Sequence, residues 1–119
     1  MNRKLLCISA FALALLSGSA FATETAPLTS GPAKHLTETI STSAVTLLAS
    51  NGNRKFLQIQ NVGTANKLAC TMDGSTPVVN GNGLQLGIGG AALYDVYVPT
   101  GIVKCIGSAA GTVVTVTYQ

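Results

Sequence analysis

From Ala44 onward the chain alternates apolar and polar residues in short runs, and turn residues separate the runs. "AVTLLA" (44–49) leads into the cluster "SNGN". "RKFLQIQN" (54–61) sets Leu57 and Ile59 against Gln58 and Gln60, and "VGTAN" follows as a turn. "KLACTM" (67–72) puts Leu68, Cys70 and Met72 on one face. "DGSTP" and "NGNG" are turn-rich. "GLQLGI" (83–88) sets Leu84, Leu86 and Ile88 against Gln85. "ALYDVYV" (92–98) places Tyr94, Val96 and Val98 on one face, with Asp95 and Tyr97 on the other. "PTG" turns again, and "IVKCI" (102–106) and "TVVTVTY" (112–118) complete the series. A period of two, bounded by Gly, Asn, Asp and Pro, is the signature of half-buried strands. About seven short strands at this spacing predict an all-β domain, a small antiparallel sandwich or barrel-like fold. The abundance of Thr, Val and Gly agrees with strand rather than helix.

Upstream of this region the texture changes twice. Arg3 and Lys4 precede the apolar run Leu5–Leu16, and small residues follow, with Ala20 and Ala22 spaced as an A-x-A cleavage site. That is the three-part plan of a secretory signal peptide, residues 1–22. The apolar run is short of the roughly 20 residues that span a bilayer. Residues 23–42, rich in Thr, Ser, Pro and Ala, show no apolar periodicity and read as a flexible leader. Residues 43–119 form the β-domain. Contact with a membrane is expected only during export. The mature protein is expected in the periplasm, the medium, or on a cell or particle surface.

Removing the signal alters the charge and the cysteine count. Lys34, Arg54, Lys55, Lys67 and Lys104 then stand against Glu24, Glu38, Asp73 and Asp95, near balance and without clusters. Nucleic acid needs concentrated positive charge and is not an expected partner. Of Cys7, Cys70 and Cys105, only the last two survive cleavage. An even pair in an exported chain reads as a disulfide. Leu68 and Met72 share the Cys70 side of their strand, while Lys104 takes the side opposite Cys105, so both cysteines are expected to face the interior. Closing a loop of about 35 residues is worth about 3–4 kcal/mol in the chain-entropy model.

No arrangement of residues points to catalysis or to a cofactor. His35 stands alone in the leader, and a zinc site needs three or four ligands. Asp73 opens "DGS", where its carboxylate suits a turn. "GIGGAA" is followed by a strand pattern and lacks the helix that a dinucleotide fingerprint requires. Asp95 and Tyr97 are the candidate surface contacts. The expected role is non-enzymatic, through protein partners or self-assembly.

"NRKFLQIQNVGTAN", "GLQLGIGGAALYDVYVPTG" and "IGSAAGTVVTVTYQ" together resemble a small β-domain that recurs in proteins of tailed-phage particles. The resemblance covers roughly the last 65 residues, the whole predicted β-domain, and its motifs are turns and strand ends. It implies a structural or adhesive role of the decoration or fibre type. The chain departs from such domains in carrying an export signal and a cysteine pair. These two departures agree with each other, since both describe an exported version stabilised by oxidation. A weaker resemblance is to chaperone–usher pilin subunits, which share the signal peptide, one disulfide and an alternating C-terminal strand with a penultimate tyrosine, here Tyr118. In that family the strand is read by β-augmentation. A secreted ligand-binding β-module is a third reading.

Overall fold

Where the alternation meets a matching partner it becomes strand. The computed structural model describes residues 31–119. The signal peptide and the first part of the leader lie outside the described residues. Eight strands follow one another: β1 (Lys34–Ile40), β2 (Val45–Leu48), β3 (Leu57–Asn61), β4 (Leu68–Thr71), β5 (Leu84–Leu86), β6 (Ala91–Tyr94), β7 (Val103–Gly107) and β8 (Thr112–Tyr118). They form two four-stranded antiparallel sheets. Sheet A has the order β1-β8-β3-β6 and sheet B the order β2-β7-β4-β5.

The pairs β1·β8, β2·β7, β3·β6 and β4·β5 are those of one long antiparallel hairpin. Rolling that hairpin up adds the contacts β3·β8 and β4·β7 and makes two sheets of it. This strand order is that of an eight-stranded jelly-roll sandwich.

The core lies between the sheets, and parity decides what enters it. Leu57 and Ile59 of β3 and Val114 and Val116 of β8 point inward from sheet A and are fully buried. Leu68 and Cys70 of β4, Val103 and Cys105 of β7, and Leu86 of β5 meet them from sheet B. Each such aliphatic side chain contributes about 1.5–3 kcal/mol on leaving water. Cys70 and Cys105 sit directly opposite each other on β4 and β7 and form a disulfide, with both residues inaccessible to solvent. The bridge therefore ties two neighbouring strands of sheet B rather than one sheet to the other. A buried disulfide of this kind belongs in an oxidising environment.

Two features depart from the sequence-based reading. The segment read as the end of a flexible leader contains β1, paired with β8 along its whole length from Lys34↔Tyr118 to Ile40↔Thr112. Its alternation is masked because Lys34 and Glu38 occupy core-side positions beside Leu36 and Ile40. Both stay exposed because β1 is an edge strand. The predicted strand 92–98 also stops early, at Tyr94, and Asp95–Tyr97 form a bend. Past this bend, Arg54 holds the following segment through the carbonyls of Pro99 and Gly101.

Glycine is required at several close approaches, two of which lie beside the β4–β5 and β7–β8 connections. A Cβ on Gly83, where φ is +91°, would lie 2.5 Å from the Cys70 carbonyl oxygen. One on Gly107 would lie 2.3 Å from Thr112 Oγ1, where the β7–β8 hairpin closes.

Candidate functional site

Two buried polar side chains hold the loops at the two ends of the sandwich. At one end Arg54, 4% exposed, donates from Nη1 to Pro99 O (2.5 Å) and Gly101 O (3.1 Å), and from Nη2 to Ala49 O (2.8 Å). It thereby joins the β2–β3 and β6–β7 connections. Burial lowers its pKa from the usual arginine value, and the nearby Tyr118 phenol acts in the opposite direction. At the other end Asn61 is fully buried. Its Nδ2 donates to Asn66 O (2.8 Å), Gly87 O (3.0 Å) and Leu86 O (3.3 Å), and its Oδ1 accepts from Gly63 N. Asn61 shares core parity with Leu57 and Ile59, and a polar residue at such a position signals a bonded hub. Neither residue was among the predicted site residues.

The two outer faces of the sandwich differ. On sheet B the β4–β5 connection, Met72–Gly83, folds back across the face. Gln85 anchors it: Oε1 accepts from Asn80 N (3.0 Å), while Nε2 donates to Val78 O (3.0 Å) and Asn82 O (3.1 Å). Thr71 Oγ1 donates to Ser75 O at 2.6 Å. Pro77, within the loop, is fully buried, and Ala69 and Thr71, whose parity points away from the core, have 0% and 5% exposure.

Nothing among the described residues covers sheet A in this way. Its outward positions fall into rows across the strands. His35, Thr117, Gln58 and Leu93 form one row, and Thr37, Thr115, Gln60 and Ala91 the next; Thr39 and Val113 begin a third. Strands lie about 4.8 Å apart and alternate residues about 7 Å apart, so the face is a regular grid about 14 Å across. Its hydroxyls are paired across strands: Thr37 Oγ1 lies 3.2 Å from Thr115 Oγ1, and His35 Nδ1 lies 3.0 Å from Thr117 Oγ1. None of these positions carries Asp, Glu, Lys or Arg. Such a grid offers donors and acceptors without net charge, which suits a broad neutral polar surface better than a small ion. His35, read as a lone residue in a mobile leader, is instead fixed in the first row.

The candidate contacts Asp95 and Tyr97 sit on the bend after β6, past the end of the strand. Tyr97 is 90% exposed and Val96 77% exposed, beside Leu93 at the free edge of sheet A. Cys70 and Cys105 come together, but in the interior. Asp73 caps its own turn, with Oδ1 accepting from the Ser75 amide (2.9 Å) and hydroxyl (2.6 Å). The hydroxyl first, and the amide second, lower its pKa from the ordinary value. Among the described residues, no group of three or more His, Cys, Asp or Glu is placed to hold a metal ion, and no helix is long and apolar enough to cross a membrane.

The chain was compared with protein-family models, curated proteins and solved structures, and none of them matches.

Proposed function

We propose that the protein is an exported, non-enzymatic structural or attachment module, similar to the decoration or fibre-type domains of phage virions, and that it works through the outer face of sheet A. The observation that carries this reading is the contrast between the two faces. One is filled by a loop of the same chain. The other, among the described residues, is left as an uncharged lattice of threonine and glutamine side chains with exposed Leu93, Val96 and Tyr97 along its rim. The signal-like pattern of residues 1–22 and the disulfide support export. The jelly-roll order is also found in viral capsid and lectin domains, and that analogy supports the reading at the level of fold only.

The pilin-like alternative has less support, because β8 lies between β1 and β3 and both of its edges are used within the chain.

Fractionation of producing cells and any particles they release tests the proposal. The protein should travel with an envelope or particle surface. A Gln58→Glu, Thr115→Glu double variant should come off that surface while its melting transition stays cooperative. Soluble protein attached to nothing, or a charged variant that stays attached, overturns the proposal. A chain that folds only with a partner supplying a strand would favour the pilin reading instead.

A further inference from the structure

Three Asn-Gly pairs occur in the chain, Asn51–Gly52, Asn80–Gly81 and Asn82–Gly83, all of them exposed. At such a pair the glycine nitrogen can attack the asparagine side-chain amide, because no Cβ on the second residue bars the approach. In a folded protein the outcome depends on what holds the nucleophile, the carbonyl and the leaving group. The three pairs are held differently. At Asn80–Gly81 the nucleophile is engaged: Gly81 N donates to Val78 O at 2.9 Å. Asn80 is also fixed, by its own amide on Gln85 Oε1 (3.0 Å) and by Lys67 Nζ on its Oδ1 (3.3 Å). At Asn82–Gly83 the leaving group is engaged: Asn82 Nδ2 donates to Thr76 O at 3.1 Å. Gly83 packs against the β4 backbone, where a Cβ would lie 2.5 Å from Cys70 O, so its peptide has little room to move.

Asn51–Gly52, between β2 and β3, carries none of these restraints. Among the described residues nothing accepts a hydrogen bond from Gly52 N or from Asn51 Nδ2. The space around Gly52 is open, and a Cβ there would meet no atom within 4 Å. The main chain of Asn51 is nevertheless anchored, its N donating to Thr100 O (2.8 Å) and its O accepting from Arg54 N (3.1 Å). Asn51 Oδ1 accepts from Asn53 N at 3.0 Å. That bond curls the side chain over the Gly52 peptide and aims a backbone donor at the oxygen that becomes negative when Cγ is attacked. We infer that Asn51 is a site of spontaneous deamidation, selected by the fold from the three pairs. Gly52 N bonds to Asn51 Cγ and the Cγ–Nδ2 bond breaks. The nitrogen leaves as ammonia, with the proton that Gly52 N gives up. Water then opens the five-membered ring at Cγ, giving aspartate, or at the main-chain carbonyl, giving isoaspartate. One water is consumed and one ammonia released, with no oxidant or reductant. Either product places a negative charge at the cavity that Asn51 lines together with Lys34 and Lys55. Isoaspartate also lengthens the main chain between Asn51 and Gly52, within the turn closed by Arg54 N on Asn51 O. The change therefore acts on the clamp that Arg54 makes with Ala49, Pro99 and Gly101.

Ageing the oxidised, exported protein in neutral to mildly alkaline buffer, followed by peptide mass spectrometry, tests the site. Exchange of NH2 for OH registers as a mass gain, and isoaspartate separates from aspartate on chromatography. In the folded protein Asn51 should convert about tenfold faster or more than Asn80 or Asn82, the effect of one engaged hydrogen bond on the barrier. In denaturant, with the bridge reduced, the three pairs should convert at similar rates. Gly52→Ala, at an open position, should slow conversion at Asn51 about tenfold or more while the melting transition stays in place. Hydrogen exchange in the aged protein should quicken at residues 49–54 and 95–102, and β3 and β8 should keep their protection. Conversion of Asn80 or Asn82 in the folded protein as fast as Asn51 overturns the inference. So does an Asn51 that stays intact while the unfolded chain reacts, or a Gly52→Ala variant that converts at the original rate. Conversion that leaves exchange in both loops unchanged overturns the effect on the Arg54 clamp.

Discussion

The outer faces of sheets A and B are built from the same alternating strands, yet a loop covers one of them over β4, and nothing among the described residues covers the other. β3 and β8 in sheet A run buried and half-buried by turns, as a sheet with one wet face should. β4 in sheet B is buried at all four positions, including the outward-facing Ala69 and Thr71. The strands are alike; the difference lies in the connection Met72–Gly83, long enough to fold back and hydrogen-bonded to Gln85 and Thr71. A face becomes scaffold or contact surface according to whether a loop of its own chain satisfies it. In this molecule the disulfide, the covering loop and the bulge all fall in sheet B, while the regular, uncharged grid is in sheet A.

If sheet B is the fixed half, cutting its crosslink should have the largest effect. Replacing both cysteines, Cys70→Ala with Cys105→Ala, should cost about 2–5 kcal/mol, as removal of a native disulfide does in small exported domains. Denaturant unfolding reads this directly, and the whole sandwich should lose stability together because the bridge lies in the shared core. A loss below about 1 kcal/mol would mean that packing alone holds β4 against β7.

Arg54→Leu comes next, at about 2–4 kcal/mol, because it strands the carbonyls of Ala49, Pro99 and Gly101 that the guanidinium now satisfies. Its effect should reach both sheets, since the β2–β3 and β6–β7 connections each run from one sheet to the other. Hydrogen exchange should therefore rise at residues 49–54 and 95–102 together. An increase confined to one loop would show that Arg54 does not act as a clamp.

Gln85→Ala separates the two faces most cleanly. It removes three hydrogen bonds at an exposed position and should cost about 1–2 kcal/mol at most. The amides of residues 76–83 should exchange faster, and β3 and β8 should keep their protection. Loss of protection in sheet A would show that the covering loop supports the fold as a whole.

The all-β class, seven of the eight strands and the cysteine pairing were legible because each depends on local alternation or on simple counting. β1 was not. In Lys-His-Leu-Thr-Glu-Thr-Ile only Leu36 and Ile40 are apolar on the core side, and the partner that makes the segment a strand, β8, lies at the far end of the chain. The bend at Asp95–Tyr97 was hidden for a similar reason: the period of two continues to Val98, and the segment that follows is held by Arg54, distant in sequence. The burial of Ala69 and Thr71 cannot be read from alternation, which assigns both to the solvent side; only the path of a later loop covers them. The sheet A grid was half visible. The outward Gln and Thr of β3 and β8 follow from parity, but their alignment into rows with His35 and Thr37 depends on the register of β1.

The smallest effect belongs to Asp73, where the covering loop begins. Its carboxylate accepts two hydrogen bonds from Ser75, and these hold its pKa below the ordinary aspartate value of 3.8. A folded-state pKa below the unfolded one means stabilisation that is complete above the unfolded value and is lost as pH falls through the folded one. The start of the loop should therefore loosen only in acid, below the usual aspartate range, with the cysteine bridge and sheet A unaffected. A carboxyl titration followed by NMR should place the Asp73 midpoint below the ordinary value, and Ser75→Ala should raise it toward that value, because the hydroxyl is the largest cause. The Ser75 amide remains in the variant and should preserve part of the shift. A midpoint that Ser75→Ala leaves unmoved would show that the hydroxyl does not hold the carboxylate in solution, and that the cover on sheet B is secured by Gln85 and Thr71 without help from its first turn.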